Sequence, residues 1–326
     1  MNDNSSSSIP GSRYLRWPLG KPLRKFYEFI GNSNILRSVF KKIMPIGKLR
    51  SDATDITYIS WLVPLERVEK LVPHPLKIQK FCIDNENQFY SVISILSFNN
   101  GHFGPSFLGP LRKFFCGSPP QVNCRLYVEP VDSTSPKNDA VFYLSVNMDN
   151  PTMTLSGRLF SDGLPVHYVN SIQHTKKNET YTTNMASGSG SGLELFLELN
   201  LEHKKELTSK FQMIFSDYDA AAEFIYDRNR AICVKSKNGN NESTTYTVIE
   251  SLIDPPDENE RYSKLIPCSF DNKKFNASDW LYEIVNDCPF ISFVIPDICI
   301  NVSGETARQI NMANSALNSE TPQSRT

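Results

Sequence analysis

From Thr54 to Ile300 the chain is written in short blocks whose apolar positions alternate or run together, divided by Gly, Pro and Asn, and this texture predicts strands. "DITYISWLV" opens the series. "NQFYSVISILSF" (87–98), "QVNCRLYVEP" (121–130), "AVFYLSVNMD" (140–149), "LPVHYVNSIQHT" (164–175), "ETYTTNMASG" (179–188) and "LELFLELN" (193–200) continue it. Adjacent blocks that pair make the sheet antiparallel. "RAICVKS" and "TTYTVIES" flank residues 237–241, where a glycine supplies the positive φ of a hairpin. Two segments read as helices instead. Leu65, Val68, Leu71 and Val72 share one face behind Pro64, a residue the first helical turn tolerates. "SDYDAAAEFIY" (216–226) begins with capping residues and carries three alanines. His74, held between Pro73 and Pro75 at the exit of the first helix, reads as a turn residue rather than a catalytic one, because the following proline ring pushes it out of helical geometry.

Ahead of the strands the period changes. Phe26, Phe29, Ile30, Leu36, Val39, Phe40 and Ile43 recur at near-helical spacing, and Gly31-Asn32 divides them into two short helices. Arg24, Lys25, Arg37, Lys41 and Lys42 lie among them. Residues 1–12 and 302–326 are polar, rich in Ser and Asn, and read as disordered tails. The expected organisation is therefore a tail (1–12), a basic amphipathic arm (13–50), one domain (52–301) and a second tail (302–326).

Charge sharpens the reading of the arm. Residues 1–50 hold ten Lys or Arg against Asp3 and Glu28, a net +8, while the remainder has 24 basic and 33 acidic residues, a net −9. Such asymmetry gives the arm two readings, an anionic membrane surface or its own domain. Nucleic acid is not an expected partner, since the arm carries no recognisable module and the body is acidic. The seven cysteines show neither a CxxC pair nor interleaved histidines, so neither structural zinc nor a disulfide framework is expected, and no cofactor is called for. The apolar run at residues 290–300 is too short for a membrane span and contains Pro296. A cytoplasmic location follows as the expectation, with attachment to a membrane periphery left open, as is a homo-oligomer.

The order of several motifs resembles an uncharacterised branch of the acetoacetate decarboxylase-like superfamily. They are "WLVPLERVEKLVPHPLKI", "QFYSVISILSF", "VNCRLYV", "AVFYLSVNMDNPTMTLSGRLFSDGLPVHY" and "AAEFIYDRNRAICV", spanning about residues 52–300 in sequence. The resemblance implies a mainly β (α+β) fold, a cone-shaped antiparallel β-barrel with peripheral helices around a pocket. It also implies chemistry on keto acids. The superfamily's named enzyme uses a lysine activated by a neighbouring cation in an apolar site. "QVNCRLYV", the matching strand, holds no lysine, and Arg125 stays protonated and cannot replace an amine nucleophile. A lyase, isomerase or dehydratase without a Schiff base is one expectation; a non-catalytic binding protein on the same scaffold is the other.

Alternation puts Asn123, Arg125 and Tyr127 on one face of residues 121–129 and Val122, Cys124, Leu126 and Val128 on the other. Along 141–149 it separates Tyr143, Ser145, Asn147 and Asp149 from Phe142, Leu144, Val146 and Met148. In an open sheet the polar faces meet water; in a closed one they line a cavity. In the second case Arg125 offers a planar fork to a carboxylate or enolate, and Tyr143 and Tyr127 donate to developing negative charge. His167 is the general acid or base by type. The expected catalytic residues are Arg125, His167 and Tyr143; the expected substrate contacts are Asn123, Tyr127 and Arg158, the last reaching a barrel mouth. The ligand would be a small acidic or carbonyl compound.

Overall fold

The computed structural model describes residues 10–43, 48–74, 76–83, 88–129, 140–202, 204–228, 230–234, 245–254, 264–303 and 306–309. Its strands are β1 (Lys48–Pro64), β2 (Phe81–Ile83), β3 (Gln88–Asn99), β4 (Gly104–Pro105), β5 (Pro120–Val128), β6 (Ala140–Met148), β7 (Val166–Tyr168) and β8 (Ser171–Lys177). They continue with β9 (Thr180–Ala186), β10 (Leu195–Leu201), β11 (Arg230–Val234), β12 (Thr245–Asp254), β13 (Ile266–Ala277), β14 (Phe290–Ser303) and β15 (Thr306–Gln309). The helices are α1 (Arg24–Asn32), α2 (Asn34–Ile43), α3 (Leu65–Val68), α4 (Arg112–Phe115), α5 (Pro151–Phe160), α6 (Ser209–Gln212), α7 (Tyr218–Tyr226) and α8 (Asp279–Val285).

All strands belong to one sheet, ordered β15-β12-β11-β6-β5-β3-β1-β14-β13-β10-β9-β8, with β2, β4 and β7 added at its sides and a further pairing of β12 with β14. β1 is central because both its faces are covered. Ile59, Trp61 and Val63 pack inward with Ile93, Ile95, Cys124 and Leu126, against Ile172, Met185, Leu195 and Leu197 of the β8–β10 wing. Ile56, Tyr58 and Leu62 point the other way, to Phe211, Ala221, Ala222 and Ile225 of α6 and α7. Burial on two faces explains why "ISWLV" reads as a continuous apolar run rather than an alternation. The alanines of α7 let its backbone approach the sheet closely, and Asp217 caps the helix by accepting from Ala220 N at 2.8 Å.

Several features depart from the expectation. The sheet is mixed, since β6 pairs in parallel with β7 and with β11. α5 provides the crossover that a parallel β6–β7 neighbour requires. The block 164–175 is two strands separated at Val169–Asn170, and β13, which no alternation flagged, lies between β10 and β14. β14 continues through Pro296 because its missing N–H falls where the β1 register skips Asp55, whose φ is 54°. Pairing also runs beyond residue 301: β14 reaches Ser303 and β15 pairs with β12. The 237–241 hairpin and residues 310–326 lie outside the described residues. His74 is an exposed turn residue, as its proline neighbours dictate.

The arm folds onto the domain. Trp17 is sandwiched between Tyr27 of α1 (centroids 4.5 Å apart) and Tyr168 of β7 (4.1 Å), with Leu15 beside them. The break between α1 and α2 falls at Ser33.

Candidate functional site

Arg125 lies between the sheet and α7. Its side chain is 4% exposed and has Tyr58, Tyr127 and Tyr143 around it. Nη2 donates to the carbonyl of Ile225 at 2.8 Å and to Tyr127 Oη at 3.3 Å. The guanidinium carbon sits 5.4 Å from the centre of the Tyr58 ring and 5.5 Å from that of Tyr127, and the hydroxyls of Tyr58 and Tyr143 also hydrogen-bond it. Tyr127 Oη donates to Ile225 O at 3.1 Å and meets Ser94 Oγ at 2.8 Å, which in turn meets Ser60 Oγ at 2.7 Å. Ile225 stands in the last turn of α7, where carbonyls lack helical partners and a cation is favoured. Among the described residues no carboxylate pairs with Arg125, and its Nε–H has no acceptor.

The electrostatics follow from this enclosure. Burial works against the charged guanidinium, but the phenols of Tyr127, Tyr58 and Tyr143 outweigh it and its pKa is raised. Burial pushes Tyr58 up to about 12 despite the opposing pull of Arg125. It raises Tyr143 in the same way, again against Arg125. Tyr58 and Tyr143 therefore stay protonated at neutral pH and meet the charge of Arg125 as neutral donors and acceptors. Tyr143 alone of the four retains intermediate exposure, so the cluster meets the exterior on that side.

A β-bulge builds this arrangement. Arg125 pairs with Tyr143 and Cys124 with Ser145, so Leu144 is the extra residue in β6. Phe142 and Leu144 face the inner core, whereas Val146 and Met148 turn outward against Val166 and Leu164. Simple alternation had put all four on one face. Beyond the bulge, Asn147 faces inward, donating to Val122 O at 3.1 Å and accepting from Leu193 N at 3.1 Å.

The other expected site residues are distributed differently. Asn123 is buried and accepts from Gln121 Nε2 at 2.8 Å. Arg158 does not reach a mouth. It is 2% exposed on α5, and Nε donates to Gly31 O at 2.9 Å, Nη1 to Val166 O at 2.6 Å, and Nη2 to Asn32 Oδ1 at 3.1 Å and to the carbonyl of Arg13. Burial first, then the cations of Arg13 and Arg37, holds its pKa well below the usual arginine range. His167 lies under the same arm: Nδ1 is 2.7 Å from Ser191 Oγ, and the backbone of Ser12 also hydrogen-bonds the ring. Arg125, Tyr127 and Tyr143 thus come together, while Arg158 and His167 anchor the arm.

His167 makes the stability of that anchor pH-dependent. Its pKa is lowered from 6.5 to about 3 by burial and by the Arg158 cation, against a raising contribution from Ser12. Unfolded chains take up this proton near pH 6.5 and the folded one does not, so the contribution is complete above that pH and is lost as pH falls toward about 3, at about 1.4 kcal/mol per unit. His174, also lowered mainly by burial, acts in the same direction. Denaturant titrations of His167→Gln between about pH 6 and about pH 4 are expected to show a shallower loss of stability than wild type.

Sequence reading missed Tyr58, Ser94 and Ser60. Arg228 borders the same cluster, donating Nε to Phe224 O at 2.7 Å and stacking over Phe224 and Tyr127 at 3.9 and 4.8 Å. Tyr58 carried a signal, since parity within "DITYISWLV" sets it opposite Ile59 and Trp61. Ser60 shares that parity, whereas Ser94 carried no signal. Among the described residues no lysine is buried, so none occupies the apolar setting that activates an amine.

The architecture is similar to that of an acetoacetate decarboxylase-like enzyme from Sphingomonas wittichii RW1, with a TM-score of 0.51 at 11% identity over 82% of this chain and 94% of that one. At this identity the likeness concerns fold alone. Acetoacetate decarboxylase from Legionella pneumophila subsp. pneumophila str. Philadelphia 1 aligns with a TM-score of 0.49 at 11% identity, over 80% of this chain and 87% of that one. The enduracididine biosynthesis enzyme MppR complexed with pyruvate aligns at 0.48 and 8%, over 81% and 90%. No curated protein matches the chain in sequence. The fold is acetoacetate decarboxylase-like, and with the DUF2071 family model ("Uncharacterized conserved protein") matching residues 50–248, more than half its length, the chain belongs to that family.

Proposed function

We propose that the protein is a small-molecule enzyme acting on an acidic carbonyl compound, a keto acid or polyketide-like ligand, through an enolate and without a Schiff base. One observation carries this reading: a buried guanidinium solvated by three phenols, with no carboxylate partner among the described residues and with its Nε–H unspent. Leaving a cation in that condition costs several kcal/mol, a cost that an anionic ligand recovers. Arg125 holds the carboxylate or enolate oxygen. Tyr58, Tyr127 and Tyr143 donate to it, and the raised pKa of Tyr58 and Tyr143 suits donors to developing negative charge. Decarboxylation, isomerisation and dehydration next to a carbonyl all develop such a charge. His167 and Arg158 stay outside this chemistry because their nitrogens are committed elsewhere, those of His167 to Ser191 and the backbone of Ser12 and those of Arg158 to the carbonyls of Gly31 and Val166.

A second reading, binding without turnover, is favoured by the absence of any buried lysine among the described residues. Calorimetric titration with β-keto acids, 2-keto acids and enolisable ketones, paired with NMR of the same mixtures in deuterated water, separates the two. Saturable binding with loss of carbon dioxide or deuterium exchange beside the carbonyl is expected. Binding with no chemical change selects the second reading. A borohydride-trapped adduct on lysine, or no binding across the panel, refutes the proposed site.

A further inference from the structure

The arm and the loop that carries α4 display their apolar side chains to the outside. In α2, Ile35, Val39 and Ile43 form an outward stripe at four-residue spacing, with Ile35 76% and Ile43 72% exposed. Two charged side chains of the same helix face the domain instead: Arg37 and Lys41 pair with Asp162 at 3.5 and 2.9 Å. α1 repeats the inversion, with Phe26 and Phe29 exposed while Tyr27 and Glu28 engage Trp17. A surface helix of a soluble domain has the opposite polarity.

A second exposed apolar segment is the loop that carries α4. Phe107, Phe114 and Phe115 are 84%, 80% and 77% exposed. The loop bearing them is pinned to the start of β1: Ser106 Oγ donates to Lys48 O at 3.0 Å, and Arg112 Nη1 donates to Arg50 O at 2.9 Å. Ile43 at the end of α2 is five residues before Lys48, a span of at most about 18 Å. Gly117, closing the loop, adjoins Asn150, the N-cap of α5, while α1 and α2 lie along α5, whose length is roughly 15 Å. Lys25, Lys42, Lys48 and Lys113 are exposed within or next to these segments, and residues 104–117 contain no Asp or Glu.

We propose that α1, α2 and the 106–116 loop form one docking surface for an anionic lipid bilayer, with Phe26, Phe29, Ile35, Ile43, Phe114 and Phe115 entering the interface. Charge complementarity selects the bilayer: basic residues among apolar rings match anionic headgroups above acyl chains, each cation near the surface adding its own attraction. The candidate small-molecule cluster lies elsewhere, beneath α7, so the two readings stand or fall separately.

Full-length protein is sedimented with vesicles of phosphatidylcholine alone and of phosphatidylcholine with about one-third phosphatidylserine. Binding to the anionic vesicles is expected, weakened severalfold by about 0.5 M salt. Phe114→Ser/Phe115→Ser and Phe29→Ser/Ile35→Ser are each expected to reduce it about tenfold, with circular dichroism and thermal midpoint unchanged. Equal binding by either variant, or no binding to anionic vesicles, overturns the proposal. So does a dimer in light scattering that the same variants dissolve, because a second copy then covers the face.

Discussion

Arg158→Met is expected to destabilise the protein by about 3 kcal/mol and to release the arm. The side chain bridges four segments that nothing else joins in the same way: α5 itself, the end of α1 through Gly31 O and Asn32 Oδ1, the start of the arm through the carbonyl of Arg13, and β7 through Val166 O. Methionine fills much of the volume but supplies no donor. The carbonyls of Gly31 and Val166 then lose their charged donor in a buried place, at about 1–3 kcal/mol each, and relief from burying the cation offsets only part of that. Geometry leaves no slack for repacking, since a Cβ added at Gly31 would stand 2.5 Å from Leu15 Cδ2 and 3.2 Å from Arg158 Nε. Gly31→Ala should therefore produce the same phenotype with the arginine intact. Hydrogen exchange across residues 13–43 is the measurement: fast exchange confined to the arm, with a thermal midpoint lower by roughly 5–10 °C, is expected. Unchanged protection in both variants would show that the Trp17 stack alone holds the arm.

How much of this was legible beforehand depended on whether the determining contact was local. The strands of β1, β3, β5, β6, β9 and β10 follow from runs of β-branched and aromatic residues, and α7 from its Asp217 cap and alanines. Arg125, Tyr127 and Tyr143 could be grouped because pairing of two adjacent strands brings them together. The bulge that turns Val146 and Met148 outward was not legible, since one inserted residue changes parity without changing composition. Arg158 looks, in "SGRLF", like any helical arginine; its acceptors lie as many as 145 residues away in the sequence. The parallel placement of β11 beside β6 likewise depends on contacts that no local pattern encodes. The inverted helices were half visible: their amphipathicity is in the sequence, but which face meets the domain is decided by Asp162, Trp17 and Tyr168.

Arg125→Met carries the sharpest expectation, because the two roles available to Arg125 predict opposite outcomes. As a structural cap on α7, the guanidinium would be worth a charged hydrogen bond to Ile225 O, and its loss would cost about 2–3 kcal/mol. Yet that carbonyl keeps a donor in Tyr127 Oη, so removing Arg125 orphans nothing there. Set against the lost bond is the charge itself, buried with an unspent Nε–H and no carboxylate among the described residues, whose desolvation costs several kcal/mol. Replacing such a cation by an apolar group of similar length is then close to neutral, so the thermal midpoint should move by no more than about 3 °C in either direction. Affinity for a keto acid should meanwhile fall at least 100-fold, about 2.7 kcal/mol, because the bidentate anchor is gone. Tyr143→Phe removes one donor and should weaken the same ligand by about tenfold with unchanged stability. A protein that unfolds easily as Arg125→Met yet binds keto acids as tightly as wild type at low temperature would mean that the arginine holds the helix and nothing else. Stability retained and binding lost would mean that the unliganded fold carries the cost of a charge for the sake of its ligand.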